Sequence, residues 1–592
     1  MRLDQLIADL TVRVARGDAR RDVRDLTDDS RQASPDCLFI ARTGADADGR
    51  SFILDAIARG ATAVLAESPL PDDLPEHVTL LSADQVDQRL AGLLASRLFG
   101  QPHEKLRLIG ITGTNGKTTT AWIVRHLLES AGLRCGLIGT VAVDVGEVSR
   151  SEFRVSSSDD APATTTAAPP NSKLKTPNSE LPQNTTPGAI EFVRLLSRMV
   201  ANGCQAAVAE VSSHALHQGR ADALRFDAVV FTNLSGDHLD YHQTMAAYAE
   251  AKAHLFTLLK PIGRAIVNAD DQYAEAMLAA APEGARVVRC SRLETGSAGD
   301  SADIVSDVQR VGATVLHASA EGSDARFDGP WGSMQVMLPL VGPHNVMNTL
   351  QAIAAAHAVC DLGSTLRQAL TTCPPVPGRL EKVPSSEFRV SSSDDAPVST
   401  TGTPPNSKLP TVLVDYAHTH DALDNVLRAL RPLTKGRLIV LFGCGGDRDR
   451  TKRPKMARVA QQWADVIFVT SDNPRTEDPQ SIIDDITEGF TSSPEAARLK
   501  PRCPAPETTP ASIPTIHIEP DRARAIRAAI DAGGADDTVL LAGKGHEDYQ
   551  ILGKDKHHFD DREHAAAALA RWRSDRSSPA SVVETSTPPC QS

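Results

Sequence analysis

RLIGITGTNGKTTTAWIVRHLLESAG (107–132) passes from a short apolar run, through a Gly- and Thr-rich loop, into a helical pattern. The run ending at Gly113 reads as a strand and residues 118–132 as the helix after it. Glycines in such a loop let backbone amides approach phosphate oxygens, and the helix N-terminus adds positive potential. In that setting Lys117 reaches the β- and γ-phosphates of a nucleotide and the Thr118 hydroxyl holds Mg²⁺. The strict spacing G-x-x-x-x-G-K-[ST] is missed by one residue, since five residues separate Gly110 from Gly116. The inner GTNGKTT still carries the chemistry, so Gly113, Thr114, Asn115, Gly116, Lys117, Thr118 and Thr119 are predicted to cradle a mononucleotide. What the ATP is used for is not decided by this loop.

Further strands are expected in CQAAVAEVSSH (204–214) and FDAVVFTNLS (226–235). In the last third, PTVLVDYAH (410–418), GRLIVLFGCGG (436–446), ADVIFVTSDNP (464–474) and DTVLLAGKGHE (537–547) each run apolar and end polar or in glycine. Helical segments such as DALDNVLRAL (421–430) and RPKMARVAQQWA (453–464) separate several of them. Apolar strands alternating with helices predict an α/β chain of parallel sheets covered on both faces. Ligands of such sheets sit just past the strand C-termini.

The 592 residues are 41% hydrophobic and 23% charged, a globular composition. Aromatics are only 4%, and 62 Lys+Arg against 75 Asp+Glu leave a net charge of −13. That balance predicts no nucleic-acid partner and no anionic membrane surface. Nothing approaches the about 18 uninterrupted apolar residues of a membrane span. The opening MRLDQLIADL has no secretory pattern, and nine scattered cysteines without CxxC spacing fit neither zinc nor disulfides, so a cytoplasmic location is expected.

Residues 151–187, 385–410 and 491–514 are rich in Ser, Thr and Pro. Two of them carry a repeat, SEFRVSSSDDAPATTTAAPPNSKL (151–174) and SEFRVSSSDDAPVSTTGTPPNSKL (386–409), identical at 20 of 24 positions. They hold too few large apolar residues to offset the entropy of ordering, so loop insertions are expected there, with a binding motif used twice as the alternative. The tail from about 576 reads the same way.

Glu210 closes the strand QAAVAEV, where a carboxylate could ligate a hard cation; alone, a capping or surface role is as good a reading. TNLSGDHLDYH (232–242) is dense in His and Asp, where a zinc site is conceivable by spacing but no cysteine joins it and there is no HExxH; Lys252 in AEAKAHLF sits on a plausible amphipathic helix, where the ordinary reading is a solvated lysine.

Taken together, GTNGKTT (113–119), NTTP (184–187), EVSSHAL (210–216), NLSGDHLDYH (233–242), EAK (250–252), GPHNVMN (342–348), PGRLE (377–381), DYAHTHDAL (415–423), FGCGGDRD (442–449), DNPRTEDP (472–479) and GKGHEDYQ (543–550) resemble the motifs of the Mur ligases. These are the ATP-dependent amide-forming enzymes of bacterial peptidoglycan synthesis, and the resemblance covers the chain apart from the insertions and tail. It implies an N-terminal UDP-binding domain (1–104), a central P-loop ATPase domain (105–377, insertion about 151–183) and a Rossmann-like C-terminal domain (378–576, insertions about 385–410 and 491–514), with 577–592 as a tail.

By the same resemblance, Lys117, Glu210, His238 and Lys252 are catalytic. Thr118, Glu210, His238 and Lys252, the last as a carbamate (N6-carboxylysine), hold Mg²⁺. A carbamate supplies an anionic oxygen where an ammonium would be repelled by the metal. Asn345 and Asn348 lie near the adenine, Arg379 at the hinge, and Asp415 engages the nucleotide from the third domain. Ser30 and the loop GADADGR (44–50) match the uridine end, while Asn184, Thr185, Thr186, Ser212, Gln218 and Arg220 match the grip on the muramoyl-dipeptide.

The amine donor is implied by DNPR (472–475), which resembles the diaminopimelate-recognition motif of the family. Diaminopimelate differs from lysine by a second carboxylate, and the planar fork of Arg475 suits it. Asp472, Asn473, Pro474, Arg448, Gly543 and Glu547 match the remaining contacts, with Glu547 facing the ammonium. The implied reaction joins meso-diaminopimelate to UDP-N-acetylmuramoyl-L-alanyl-D-glutamate through an acyl phosphate, at the cost of ATP. Domain closure over this intermediate and a monomer are the matching expectations. Gly236, His420, Asp28 and the residues from Ala45 to Ala47 depart from relatives without removing a proposed ligand. Three rival readings are disfavoured: a lysine-adding relative, by DNPR; a folylpolyglutamate synthase, by the N-terminal domain and GKGHEDYQ; and a non-ligating ATP-binding scaffold, by Lys117, Glu210, His238 and Lys252 together.

Overall fold

A computed structural model describes residues 1–44, 48–70, 74–147, 185–236, 239–294, 308–384, 409–491 and 514–577. Both copies of the repeat (except Leu409), nearly all of the three Ser/Thr/Pro-rich stretches, the tail from 578, residues 45–47, Asn184 and His238 lie outside the described residues. The chain divides into two compact units, one made mainly of residues 1–373 and the other mainly of 374–592.

The first unit contains two sheets. In the smaller, the strands run in the order Val12–Arg16, Thr79–Ala83, Ala61–Glu67, Cys37–Ala41, Asp25–Thr27, and only the first pair is antiparallel. Helix Gln88–Leu98 then packs on helix Ala189–Ala201 of the larger sheet. Gln88 Oε1 accepts from the Ala189 amide at 2.8 Å, and Arg194 reaches back to Asp25 at 3.0 Å.

The larger sheet has ten strands. Its centre is parallel, in the order Leu259–Asn268, Phe226–Phe231, Arg107–Thr112, Ala206–Glu210, Cys135–Ile138. Arg107–Thr112 is buried from Leu108 onward, which is why its sequence is apolar without alternation. Its register sets Thr112 beside Phe231 and Ile111 beside Glu210, so three strand ends open on one crevice.

Val308–Ser319 still pairs parallel with Arg286–Arg292, but the strands of 322–338 depart from the all-parallel expectation. Gly322–Gly329 and Gly332–Leu338 form an antiparallel hairpin across a two-residue turn. So short a connection cannot make the crossover that a parallel neighbour needs.

The second unit holds a six-stranded sheet in the order Glu381–Lys382, Thr411–Asp415, Thr538–Ala542, Leu438–Phe442, Val466–Val469, Thr515–Ile518. All pairs but the first are parallel. Leu413, Val440, Ile467 and Leu540 feed one core, and Val412, Val414, Ile439, Leu441, Val539 and Leu541 the other. Period-two alternation thus buries both faces under helices. His420 opens helix His420–Leu430, and the Thr419 hydroxyl caps it, accepting from the Ala422 amide at 3.2 Å.

Candidate active site

In the first unit the loop 113–116 links strand Arg107–Thr112 to helix Lys117–Ser130. It is held by TNLS (232–235), just past the neighbouring strand. The Thr114 amide donates to the Asn233 carbonyl at 2.8 Å, the Asn115 amide to Asn233 Oδ1 at 3.0 Å, and Thr232 Oγ1 to the Asn115 carbonyl at 2.6 Å. Gly113 has φ +147°, and a Cβ there would lie 1.9 Å from Thr232 Oγ1. Gly113→Ala is therefore expected to cost roughly 1–3 kcal/mol of stability and to weaken nucleotide binding, read by thermal melting and ATP titration. An unchanged ATP affinity would contradict this.

Glu210 is buried at the end of its strand. Its Oε2 accepts from Thr118 Oγ1 at 2.9 Å and Thr140 Oγ1 at 3.0 Å, and its Oε1 from the Thr140 amide at 2.9 Å. Thr118 and Glu210 are thus a buried pair of hard oxygen donors, the chemistry that magnesium prefers. The donor set fits that ion.

Lys252 lies on helix Met245–Thr257 and is 1% exposed. Its Nζ donates to the Gly113 carbonyl at 2.9 Å and sits 4.3 Å from the centre of the Tyr248 ring. Lys117 Nζ donates to the same carbonyl at 2.9 Å and to that of Thr114. Two amines therefore converge on one oxygen, so the surface-lysine reading of Lys252 does not hold.

The described residues matched to the muramoyl-dipeptide, Thr185, Thr186, Ser212, Gln218 and Arg220, are linked to one another and to Glu210 by hydrogen bonds. Thr186 Oγ1 donates to the Glu210 carbonyl at 2.9 Å and accepts from the Ser212 amide at 3.0 Å. Arg220 donates to the Thr186 carbonyl at 2.8 Å and to Gln218 Oε1 at 2.9 Å. Thr185 accepts from Thr140 at 3.1 Å. Burial, and then the charge of Arg42, lower the Arg220 pKa, an environment that an anionic ligand would relieve. Ser30 is buried in the 3₁₀ turn Ser30–Gln32, between strands Asp25–Thr27 and Cys37–Ala41 of the smaller sheet.

Asn345 and Asn348 are buried on helix Pro343–Val359, joined by a 3.0 Å bond. A Cβ on Gly116 would lie 2.4 Å from Asn348 Oδ1, so this pair abuts the phosphate loop. Thr119 is buried in the first turn of helix Lys117–Ser130.

In the second unit, Asp415 ends its strand and accepts from the Leu380 amide at 2.7 Å and the Ala417 amide at 2.9 Å. Burial raises its pKa, with Arg379 opposing. Arg379 lies 4.8 Å over the Tyr416 ring.

The residues matched to diaminopimelate form one cluster past the strand ends. Lys544, fully buried, reaches Asn473 Oδ1 at 3.2 Å and Asp472 Oδ1 and Glu547 Oε2 at 3.4 Å each. Asn473 Nδ2 also donates to Glu547 at 2.9 Å. Gly543 lies against Asp472, and the Pro474 carbonyl accepts from the Glu477 amide at 3.1 Å. Arg475 has φ +53° and donates to the Gly446 carbonyl at 2.8 Å; Arg448 is exposed on the adjoining loop. Burial would raise the Asp472 pKa, but Lys544 and Arg522 outweigh it and hold it low. Burial and the charge of Asp472 raise that of Glu547, against Lys544. Two carboxylates share one ammonium here, leaving a negative charge for a second cation, with guanidiniums close by.

Sequence reasoning passed over Thr140, Thr232 and Lys544. Lys544 and Thr232 stood within quoted stretches, GKGHE and TNLSGDHLDYH, without being given a role; Thr140 carries no local signal.

A phosphate-binding loop with a buried strand-end acid bonded to its helix start and two lysines meeting at one carbonyl, in a chain whose second unit carries its own cluster of acids and arginines past its strand ends, has the parts of an ATP-using ligase. The chain belongs to the Mur ligase family. The Mur ligase family catalytic-domain model matches residues 23–97, the middle-domain model 111–356 and the glutamate ligase domain model 405–545. Among curated proteins it is 42% identical to the UDP-N-acetylmuramoyl-L-alanyl-D-glutamate–2,6-diaminopimelate ligase of Synechococcus elongatus, over 93% of this chain and 95% of that protein. It is 39% identical to the ligase of the same name from Chlorobaculum tepidum, over 96% and 98%. A solved structure of a ligase of that name superposes with a TM-score of 0.59 at 29% identity, covering 97% of this chain and 99% of that one.

Proposed function

We infer that this chain joins meso-diaminopimelate to UDP-N-acetylmuramoyl-L-alanyl-D-glutamate at the expense of ATP, in peptidoglycan synthesis. The observation that carries this reading is the end-to-end match, at 42% identity, to a ligase of that activity. We assign the domains as 1–104, 105–377 and 378–576, and the active form as a cytoplasmic monomer. No helix among the described residues is long and apolar enough to cross a membrane.

In this reading the loop amides and Lys117 bind the ATP phosphates. Thr118, Glu210, His238 and the carbamate of Lys252 hold Mg²⁺, which when bound neutralises charge on the transferring phosphoryl group. Carbamylation joins neutral Nζ to CO₂ with loss of a proton, and it relieves the crowding of two ammoniums at the Gly113 carbonyl. Thr185, Thr186, Ser212, Gln218, Arg220 and Asn184 orient the muramoyl-dipeptide, with Ser30 at the uridine. The D-glutamyl carboxylate attacks the γ-phosphorus, ADP leaves, and the acyl phosphate forms. The diaminopimelate amine then attacks the acyl carbon, losing a proton as phosphate departs. Asp472, Asn473 and Glu547 take the donor's ammonium end; Arg475 and Arg448 take its far carboxylate. Asn345, Asn348, Arg379 and Asp415 serve the nucleotide.

Phosphate release measured with meso-diaminopimelate and with lysine tests the reading. Release with the former alone is expected; equal rates, or none, would overturn it. A pH dependence follows from Glu547. As pH falls toward its raised pKa, protonation removes the charge that accepts the donor's ammonium. KM for diaminopimelate is therefore expected to rise on the acid side while KM for ATP holds, and Glu547→Gln to flatten the difference. A pH-independent donor KM in the wild type would count against that role.

A further inference from the structure

Arg448 and Arg475 come from different loops, after strands Leu438–Phe442 and Val466–Val469. A Cβ on Gly445 would lie 2.9 Å from Arg475 Nη1 and 3.8 Å from Arg448 Cγ, so the two side chains flank one point. Each guanidinium can bind the same carboxylate only if the loops keep a fixed spacing. The ties between them are specific. Glu477, beyond DNPR, accepts from the Asp447 amide at 2.5 Å, beside Arg448. The Thr476 hydroxyl donates to Asp447 Oδ1 at 2.9 Å. Arg453, wholly buried, forks onto both Glu477 oxygens at 2.9 and 3.0 Å and reaches the Gly445 carbonyl at 3.3 Å.

We propose that Glu477, gripped by Arg453, is a positioning residue that sets the separation of Arg448 and Arg475 and thereby the selection of a donor with two carboxylates. Both linked loops carry a non-glycine residue in the left-handed region, Asp447 and Arg475, each at φ +53°. A strained backbone of this kind persists only where its surroundings over-determine it. Here the surroundings are the Glu477 and Thr476 bonds at Asp447, and at Arg475 the bond from its own amide to the Ile551 carbonyl at 3.2 Å. The hydrogen bonds from Arg453 also hold the Glu477 carboxyl below its usual pKa, so it is ionised for this task.

The proposal rests on the diaminopimelate reading, and the test separates the two. Wild type, Glu477→Ala and Thr476→Val are assayed as full-length enzyme for KM of meso-diaminopimelate, ATP and the UDP substrate, and for the diaminopimelate-to-lysine rate ratio. For Glu477→Ala the donor KM is expected to rise about ten- to a hundredfold and the ratio to fall, with the other two constants nearly unchanged and the melting temperature lowered, because the buried Arg453 loses one partner and keeps Asp485. Thr476→Val, which spares the buried arginine, is expected to move in the same direction by less and decides the matter should Glu477→Ala fail to fold. A wild type without preference for diaminopimelate removes the underlying reading and the clamp with it. A selective wild type whose folded variants keep donor KM and ratio overturns the clamp alone, as does an equal rise in all three KM values.

Discussion

Lys252→Ala is expected to lower turnover by about a hundred- to a thousandfold or more, the scale for losing one preorganised electrostatic group at a reacting centre. The side chain is buried, donates to the Gly113 carbonyl and shares that oxygen with Lys117. The proposed carbamate would supply an anionic oxygen at the phosphate loop, where alanine supplies none. The loss should fall on kcat, with nucleotide affinity and the melting temperature much less affected. Activity of the wild type should also decline when CO₂ and bicarbonate are stripped from the assay and return when they are restored. A Lys252→Ala enzyme with full turnover, or a wild type indifferent to bicarbonate, would refute the carbamate.

Arg475→Ala should reduce the preference for meso-diaminopimelate over lysine by roughly ten- to a hundredfold, the worth of a charge-assisted bond of about 1.5–3 kcal/mol. The guanidinium is aimed by its own backbone, whose carbonyl accepts from the Gly553 amide at 2.8 Å while its Nη1 holds the Gly446 carbonyl. The effect should be on donor KM, with little change for ATP, because the bonds of Arg475 go to Gly446, Ile551 and Gly553, none of them assigned to the nucleotide. Arg475→Lys should recover only part of the preference, since an ammonium cannot form the bidentate fork. Unchanged discrimination in Arg475→Ala would strip the residue of this role.

Much of the scaffold was legible locally. The apolar runs ending at Thr112, Glu210, Asp415, Phe442 and Val469 became parallel strands, because burial on both faces leaves a near-continuous hydrophobic signature. The hairpin of 322–338 escaped, since its alternation is half polar and its partner is set by a two-residue turn. His238 and Asn184 were read from motif resemblance and lie outside the described residues.

Periodicity and local spacing determined the strand–loop–helix unit at Gly113–Lys117, the strand-end position of Glu210 and the chemical types of the site residues. The first two follow from forces acting within a few residues of each other: backbone geometry, burial of the strand and the start of a helix. Only the tertiary structure decided that Lys252, Lys117 and Gly113 meet, that Thr140 braces Glu210, and that Glu477 and Arg453 lock two arginine-bearing loops together. Those contacts join residues up to 139 positions apart. No local pattern encodes which strand ends will be neighbours; that is set by the order in which the strands pack to bury their faces.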